Sequence, residues 1–183
     1  MAGPNGCGKT TIAHKLLGSL ALPFINADEI EKDIRGEKSE SVRFQAGKLF
    51  FLQMDEYIRN SQSFVIETTF FGKNLSRINR LKANGYKLKT VFVFVETPDI
   101  AKQRIKERVR LGGHHIPDDD VIRRFYRSKK NFLHIYKNLS DEWQIVCNTE
   151  HNHLLVAQGT NDKYIIMDQE YFIIFKEGIY EHV

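Results

Sequence analysis

Apolar runs and helical stripes alternate along this chain. Ile12, Ala13, Leu16 and Leu17 fall on one face of a helix that should begin at about Lys9 and stop at Gly18. Leu22 to Ile25 reads as a short buried strand, followed by Asn26-Ala27-Asp28 and a helical turn starting at Glu29-Ile30. Val42, Ala46, Leu49, Phe50, Met54, Tyr57 and Ile58 stripe a long amphipathic helix from Ser39 to Asn60. Phe64-Val65-Ile66 is the next strand and runs into Glu67-Thr68-Thr69. A further helix is expected between Lys73 and Ala83, with Asn84-Gly85 as a left-handed stop. Lys89 to Val95 is apolar on both faces, the mark of a central parallel strand.

The second half continues the alternation. Thr97-Pro98-Asp99 supplies an N-cap, a first-turn proline and a first-turn acid for a helix reaching about Leu111. Gly112 to Pro117 separates it from a helix over Asp118 to about Leu139, whose stripe is Val121, Ile122, Phe125, Phe132 and Tyr136. Trp143 to Cys147 is a last buried strand. Leu154–Gln158 and Lys163–Met167 then read as an antiparallel hairpin, and Tyr171, Phe172, Ile174 and Phe175 dock a terminal element over the tail, about 151–183. Strand and helix in this order predict an α/β class, a three-layer domain with a mostly parallel sheet, and 183 residues call for one domain only.

Composition narrows the setting. No apolar run approaches the roughly 18 residues of a membrane span, and no signal-peptide pattern is present, so the expected localisation is cytoplasmic with no membrane partner. Cys7 and Cys147 are too few for a disulfide framework or a zinc site. The 27 basic and 23 acidic residues are interspersed and lack interleaved aromatic platforms, which argues against nucleic acid and suits an acidic phosphorylated substrate.

The chemistry gathers at Gly3-Pro4-Asn5-Gly6-Cys7-Gly8-Lys9-Thr10-Thr11, which fits glycine, four free positions, then Gly-Lys-Ser/Thr. Gly3, Gly6 and Gly8 allow backbone angles that turn successive amides around a polyphosphate. Lys9 brings a mobile positive charge to the transferred phosphate, and Thr10 offers its hydroxyl to Mg²⁺. The helix behind the loop points its positive end at the same anion. Only Met1 and Ala2 precede Gly3, too few for the strand that normally feeds such a loop. The first strand is therefore expected to be missing, and the functional protein to begin several apolar residues upstream.

Asp28 and Glu67 both stand where a strand gives way, which in open α/β sheets is where ligands gather. Asp28 reads equally as a general base for an acceptor hydroxyl or as an N-cap. Glu67 reads as a binder of acceptor hydroxyls or of a water on Mg²⁺, or as part of a capping cluster with Thr68 and Thr69. Across about 104–127, Arg104, Arg108 and Arg110 precede the glycine pair and Arg123, Arg124 and Arg127 follow it. That suits either a lid closing on phosphates or a solvated helical hairpin. His114 and His115 read as polar groups of that region.

Taken together, the loop, Phe24-Ile25-Asn26-Ala27-Asp28, Glu67-Thr68-Thr69, Asn84-Gly85-Tyr86, Arg108-Val109-Arg110 through His114, Pro117 and Arg123 to Ser128 resemble the zeta-toxin family of P-loop kinases. The likeness is to its small stand-alone bacterial branch and covers roughly Ala2 to Gly159. It implies a P-loop kinase fold and transfer of phosphate from ATP with Mg²⁺. In characterised members the acceptor is a sugar hydroxyl of UDP-N-acetylglucosamine, and an antitoxin protein is a partner to expect. The resemblance makes Lys9 the loop lysine, Asp28 the base, Glu67 and Thr69 acceptor contacts, and Arg108 a holder of nucleotide phosphates. For a second phosphate-contacting arginine, His114 falls near the family position and Arg124 or Arg127 can substitute in space. A kinase of another small metabolite and a truncated, non-catalytic nucleotide-binding protein are the alternatives.

Overall fold

The computed structural model describes residues 1–34, 40–70, 75–113, 115–150, 153–160 and 163–180. In chain order these form α1 (Lys9–Leu20), β1 (Phe24–Ile25), α2 (Ala27–Asp33), α3 (Glu40–Arg59), β2 (Val65–Ile66), α4 (Leu75–Ala83), β3 (Lys89–Phe94) and α5 (Pro98–Arg110). There follow α6 (Asp118–Asn131), a π-helical turn (Phe132–Tyr136), α7 (Lys137–Leu139), β4 (Glu142–Cys147), β5 (Leu154–Gly159), β6 (Tyr164–Ile166) and α8 (Gln169–Lys176). Two compact units result: Met1–Ile12 with Thr69–Val183, and Ala13–Thr68.

The larger unit is organised around β3. Its strand period of two sends Phe92 and Phe94 into one apolar cluster and Val93, with Val95 just beyond, into another. The first cluster takes Phe132, Tyr136, Trp143, Ile145, Phe172 and Phe175; the second takes Ile12, Ala101, Ile105, Ile116, Val121 and Phe125. Helices therefore cover both sheet faces, the three-layer arrangement that the two-sided apolar strand predicts. Each fully buried phenylalanine contributes roughly 2 kcal/mol of transfer free energy. β3 pairs in parallel with β4, from Lys89 opposite Glu142 to Phe94 opposite Cys147. The predicted hairpin forms, and it continues this sheet rather than standing apart: β5 runs antiparallel to β4, and β6 to β5. On β3's other edge Ala2 makes a single parallel bridge, its N–H donating to Val91 and its carbonyl accepting from Val93, both at 2.8 Å.

Local signals account for most boundaries. Thr97 caps α5, its hydroxyl accepting from the Ile100 N–H at 3.4 Å, with Pro98 in the first turn. Gly85 ends the α4 segment at φ +78°. The expected uniform helix from Asp118 to Leu139 is broken by the π-helical turn, where Phe132 and Tyr136, four apart, are both buried. There the Tyr136 ring stacks on Phe70 with centroids 3.7 Å apart.

In the smaller unit β1 pairs in parallel with β2, Phe24 opposite Val65 and Ile25 opposite Ile66. Ala46, Phe50, Met54 and Ile58 are the buried line of α3. Gly18 does not end α1, which runs two residues further. The stop is Ala21, at φ +48° with its N–H on the Leu17 carbonyl. A glycine costs a helix about 1 kcal/mol but does not by itself break it. Leu16, expected on the apolar face, is 45% exposed. The expected start of the α4 segment at Lys73, that of α3 at Ser39, the turn at 161–162, and His114 lie outside the described residues. Among the described residues no helix is long and apolar enough to cross a membrane.

Candidate functional site

The loop at Gly3–Gly8 adopts the backbone that its glycines were expected to permit: φ is +142° at Gly3, +79° at Gly6 and +84° at Gly8. It also leaves no room for side chains. A Cβ at Gly3 would run into the Val93 carbonyl oxygen of β3, and one at Gly6 would lie 2.5 Å from the Ala101 carbonyl oxygen of α5. One at Gly8 would meet the Asn148 side-chain amide. The loop is therefore seated on the strand, the helix and the end of β4 at once. Inside it the Pro4 carbonyl accepts from Cys7 Sγ at 3.0 Å and from Lys9 Nζ at 2.9 Å. Lys9 is only 6% exposed, so its ammonium lies tucked on the loop rather than reaching freely into solvent. α1 begins at Lys9, with the Ile12 N–H bonding the Gly8 carbonyl at 3.1 Å. The first-turn amides of a helix point out of its N-terminus, a setting suited to an anion. Thr10 is half-buried and Thr11 exposed beside them.

Asn148 is a contributor that the sequence reading passed over, and Arg104 was read there only as one of the arginines ahead of the glycine pair. Asn148, 2% exposed at the end of β4, donates from Nδ2 to the Cys7 carbonyl at 2.9 Å. Arg104 Nη2 donates to the Thr149 carbonyl at 2.6 Å, and the Thr149 hydroxyl accepts from the Glu96 N–H at 3.1 Å. The signal was available: Asn148 ends a parallel strand, the same placement that singled out Asp28 and Glu67.

The arginines divide. Arg108, in the last turn of α5, lies over Gly113, whose N–H bonds the Arg108 carbonyl at 2.9 Å. Arg124 Nη2 bonds Asp120 at 3.1 Å within α6, and Arg123 bonds the other oxygen of the same carboxylate. Those contacts, the Arg123 hydrogen bond first, hold the Asp120 carboxyl below its ordinary range. Arg127 has its pKa lowered by burial first, and then by the positive charges of Arg123 and Arg124. The linker between α5 and α6 is pinned by buried Ile116, whose cluster includes residues of both helices.

In the smaller unit Asn26, not Asp28, caps α2: its Oδ1 accepts from the Asp28 N–H at 2.9 Å. Asn26 Nδ2 donates to Glu67 Oε2 at 3.0 Å. The β1–β2 ladder sets this up, since the Glu67 N–H reaches the Ile25 carbonyl at 3.0 Å and brings the two strand ends level. Asp28 is left exposed in the first turn of α2 with no capping duty. Thr69, half-buried, falls at the start of the other unit's second segment.

A family model described as an AAA domain matches residues 1–132. A protein of Haemophilus influenzae is 28% identical over 128 residues, 67% of this chain and 88% of that protein. Among solved structures, AvrRxo1-ORF1:-ORF2 with ATP aligns at TM-score 0.71 and 15% identity. That alignment covers 94% of this chain and 61% of that one, so this chain spans about three fifths of that chain's length. A structure from the PezAT chromosomal toxin–antitoxin system of Streptococcus pneumoniae aligns at TM-score 0.59 and 16% identity, covering 86% of this chain and 71% of that one. A provisionally assigned kinase from Chloroflexus aurantiacus aligns at TM-score 0.54 and 20% identity, covering 69% and 76%. These likenesses show an α/β fold of the P-loop kinase type. With the family model spanning Met1 to Phe132, through the phosphate loop and β3 to the end of α6, the chain belongs to this AAA-domain family.

Proposed function

We propose that the protein is an ATP- and Mg²⁺-dependent phosphotransferase that moves a phosphoryl group to a hydroxyl of a small acceptor. The observation that carries this reading is the loop itself: three glycines whose missing side chains are demanded by β3, α5 and Asn148, ahead of a helix that opens at Lys9. ATP supplies the phosphoryl group. The loop amides and Lys9 bind the phosphates, and Thr10 offers its hydroxyl to Mg²⁺. Arg108, with Arg124 or Arg127, steadies phosphate charge from the α5–α6 side. Asp28 orients the acceptor hydroxyl and takes its proton as the new P–O bond forms and the β–γ bond of ATP breaks, with ADP leaving.

Asp28 favours this role because Asn26 already performs the capping that was its competing explanation. Glu67, held by Asn26, and Thr69 are assigned to the acceptor's polar groups. A nucleotide sugar such as UDP-N-acetylglucosamine is the acceptor we favour, on the zeta-toxin resemblance. One structural neighbour was solved with ATP and another belongs to a toxin–antitoxin system, which supports nucleotide binding and an antitoxin partner for this chain.

The test is transfer of labelled phosphate from ATP to a panel of nucleotide sugars, sugars and nucleosides, with and without Mg²⁺. Transfer is expected to vanish in Lys9→Ala and to fall at least a hundredfold in Asp28→Asn, while ATP binding survives in the latter. Wild-type transfer rates in Asp28→Asn would remove the base assignment. ATP binding with no transfer to any acceptor would remove the enzyme.

A further inference from the structure

The Cys7 carbonyl and the Gly8 N–H belong to one trans peptide plane and so point in opposite directions. Asn148 Nδ2 holds that carbonyl at 2.9 Å, on the scaffold side of the loop. The Gly8 N–H is thereby turned the other way. Asn148 is itself fixed from two sides: its own N–H bonds the Phe94 carbonyl at 2.8 Å, and the preceding Cys147 is in register with Phe94 across β3 and β4. Its side chain fills the space that a Cβ at Gly8 would need, so the glycine at position 8 and the asparagine at 148 are one fitted pair. The orientation of the amide follows from the contact, since a carbonyl accepts only from the NH₂ end and the reverse assignment would place two oxygens together.

We propose that Asn148 is a positioning residue for nucleotide binding: through the Cys7 carbonyl it locks the Gly8 peptide so that its N–H is presented to a phosphate oxygen. A loop amide that must turn on binding costs affinity, whereas one already turned does not. The inference rests on the nucleotide-binding reading of the loop and concerns a residue 141 positions away in sequence.

Two substitutions test it, each measured as the ATP dissociation constant relative to wild type at the same pH, with the nucleotide-free thermal midpoint recorded alongside. Asn148→Ala removes the donor, and a loss of about tenfold in affinity, independent of pH, is expected; tenfold corresponds to about 1.4 kcal/mol. Asn148→Asp keeps the shape but sets an anionic oxygen against the Cys7 carbonyl at pH 8, where the loss is expected to exceed that of Asn148→Ala. At pH 5.5 the buried introduced acid takes up a proton and regains an O–H donor, so affinity should return to within about threefold of wild type. A residue that merely supports the fold has no reason to recover in this way. Affinity within twofold of wild type in Asn148→Ala, or a loss in Asn148→Asp that is the same at both pH values, overturns the proposal. If Asn148→Ala does not fold, the pH ratio of Asn148→Asp decides alone. A wild-type protein that binds no ATP sinks the nucleotide reading instead, whereas wild-type binding with unaffected variants sinks only the role of Asn148.

Discussion

Asn26 Nδ2 donates to Glu67 Oε2 at 3.0 Å while Asn26 Oδ1 accepts the Asp28 N–H at 2.9 Å, so one buried amide ties together the two carboxylate positions at the ends of β1 and β2. Neither job requires the other. Asn26→Asp retains an oxygen for the Asp28 amide but loses the donor and faces Glu67 with a like charge. The cap is kept, since aspartate and asparagine cap comparably, but the carboxylate pair at this buried position should lower the thermal midpoint at neutral pH, and kcat/KM for the acceptor should fall about tenfold with KM for ATP unchanged. Asn26→Ala should in addition lose about 1 kcal/mol of stability through the missing cap. Steady-state kinetics varying each substrate in turn, together with thermal unfolding, separates the two effects. An equal rise in KM for ATP and for the acceptor would show that Asn26 has no selective acceptor-side role.

The glycines predict opposite outcomes for the same substitution. Gly3→Ala places a methyl group on the Val93 carbonyl oxygen and forces alanine to φ +142°. Such a backbone alone costs about 1 to 3 kcal/mol, and the collision with β3 adds to it, so loss of more than about 2 kcal/mol is expected by urea unfolding. Gly18→Ala lies inside α1 with nothing within 4 Å of the new methyl group. It should stabilise by about 0.5 to 1 kcal/mol. Stabilisation by Gly3→Ala would show that the loop is not seated on β3 as described.

Much of this was legible in the sequence because the signals were local. Pro98 behind Thr97, the Gly85 stop, the apolar run of β3 and the glycine spacing of the loop all act over a few residues, and each appears where expected. What escaped was set by contacts distant in sequence. Gly18 reads as a stop, yet α1 continues to Leu20, because a helix ends where its neighbours let it rather than at its weakest residue. The π-helical turn is invisible to a 3.6-residue stripe, since it exists to bury Phe132 and Tyr136 against residues as far away as Phe70. Asn148 was passed over because nothing near it in sequence points to Cys7, 141 positions away.

Gly113 carries a prediction about Arg108. A Cβ at Gly113 would lie 2.5 Å from Arg108 Cγ and 2.7 Å from its carbonyl oxygen, and its φ is not in the left-handed region that only glycine favours. The lack of a side chain is therefore about space for the arginine. Gly113→Ala should push the Arg108 side chain aside and raise KM for ATP about three- to tenfold, and the collision with the Arg108 carbonyl oxygen should also cost about 1 to 3 kcal/mol of stability. In Arg108→Ala the further effect of Gly113→Ala should disappear, which a double-mutant cycle on KM would read. Additive effects would separate Gly113 from Arg108.

Lys129 is expected to give the protein a stability that rises with alkalinity. It is 1% exposed in α6, its Nζ within 3.3 Å of the Ile174 and Glu177 carbonyls and 4.9 Å from the Phe125 ring centre. Burial pushes its ammonium from the ordinary 10.5 down to about 8, against a smaller opposing pull from the Glu177 carboxylate. Below pH 8 the folded and unfolded chains both hold this proton, and the lysine contributes no slope. Between about pH 8 and 10.5 the unfolded chain still holds it while the folded chain has released it, so unfolding must take up a proton and stability rises with pH. At about 1.4 kcal/mol per pK unit the whole rise is on the order of 3 kcal/mol. Cys147 and Tyr171, whose pKa values are raised by burial and by the Glu96 charge respectively, act in the other direction above pH 9. The comparison must therefore be with a variant that keeps both. Lys129→Met fills the same volume without a proton to lose, and its stability by urea titration should lack the rise over pH 8 to 10 that wild type shows relative to it. A constant difference between the two proteins across that range would mean that Lys129 keeps its proton in the fold, held by the rings and carbonyls that surround it.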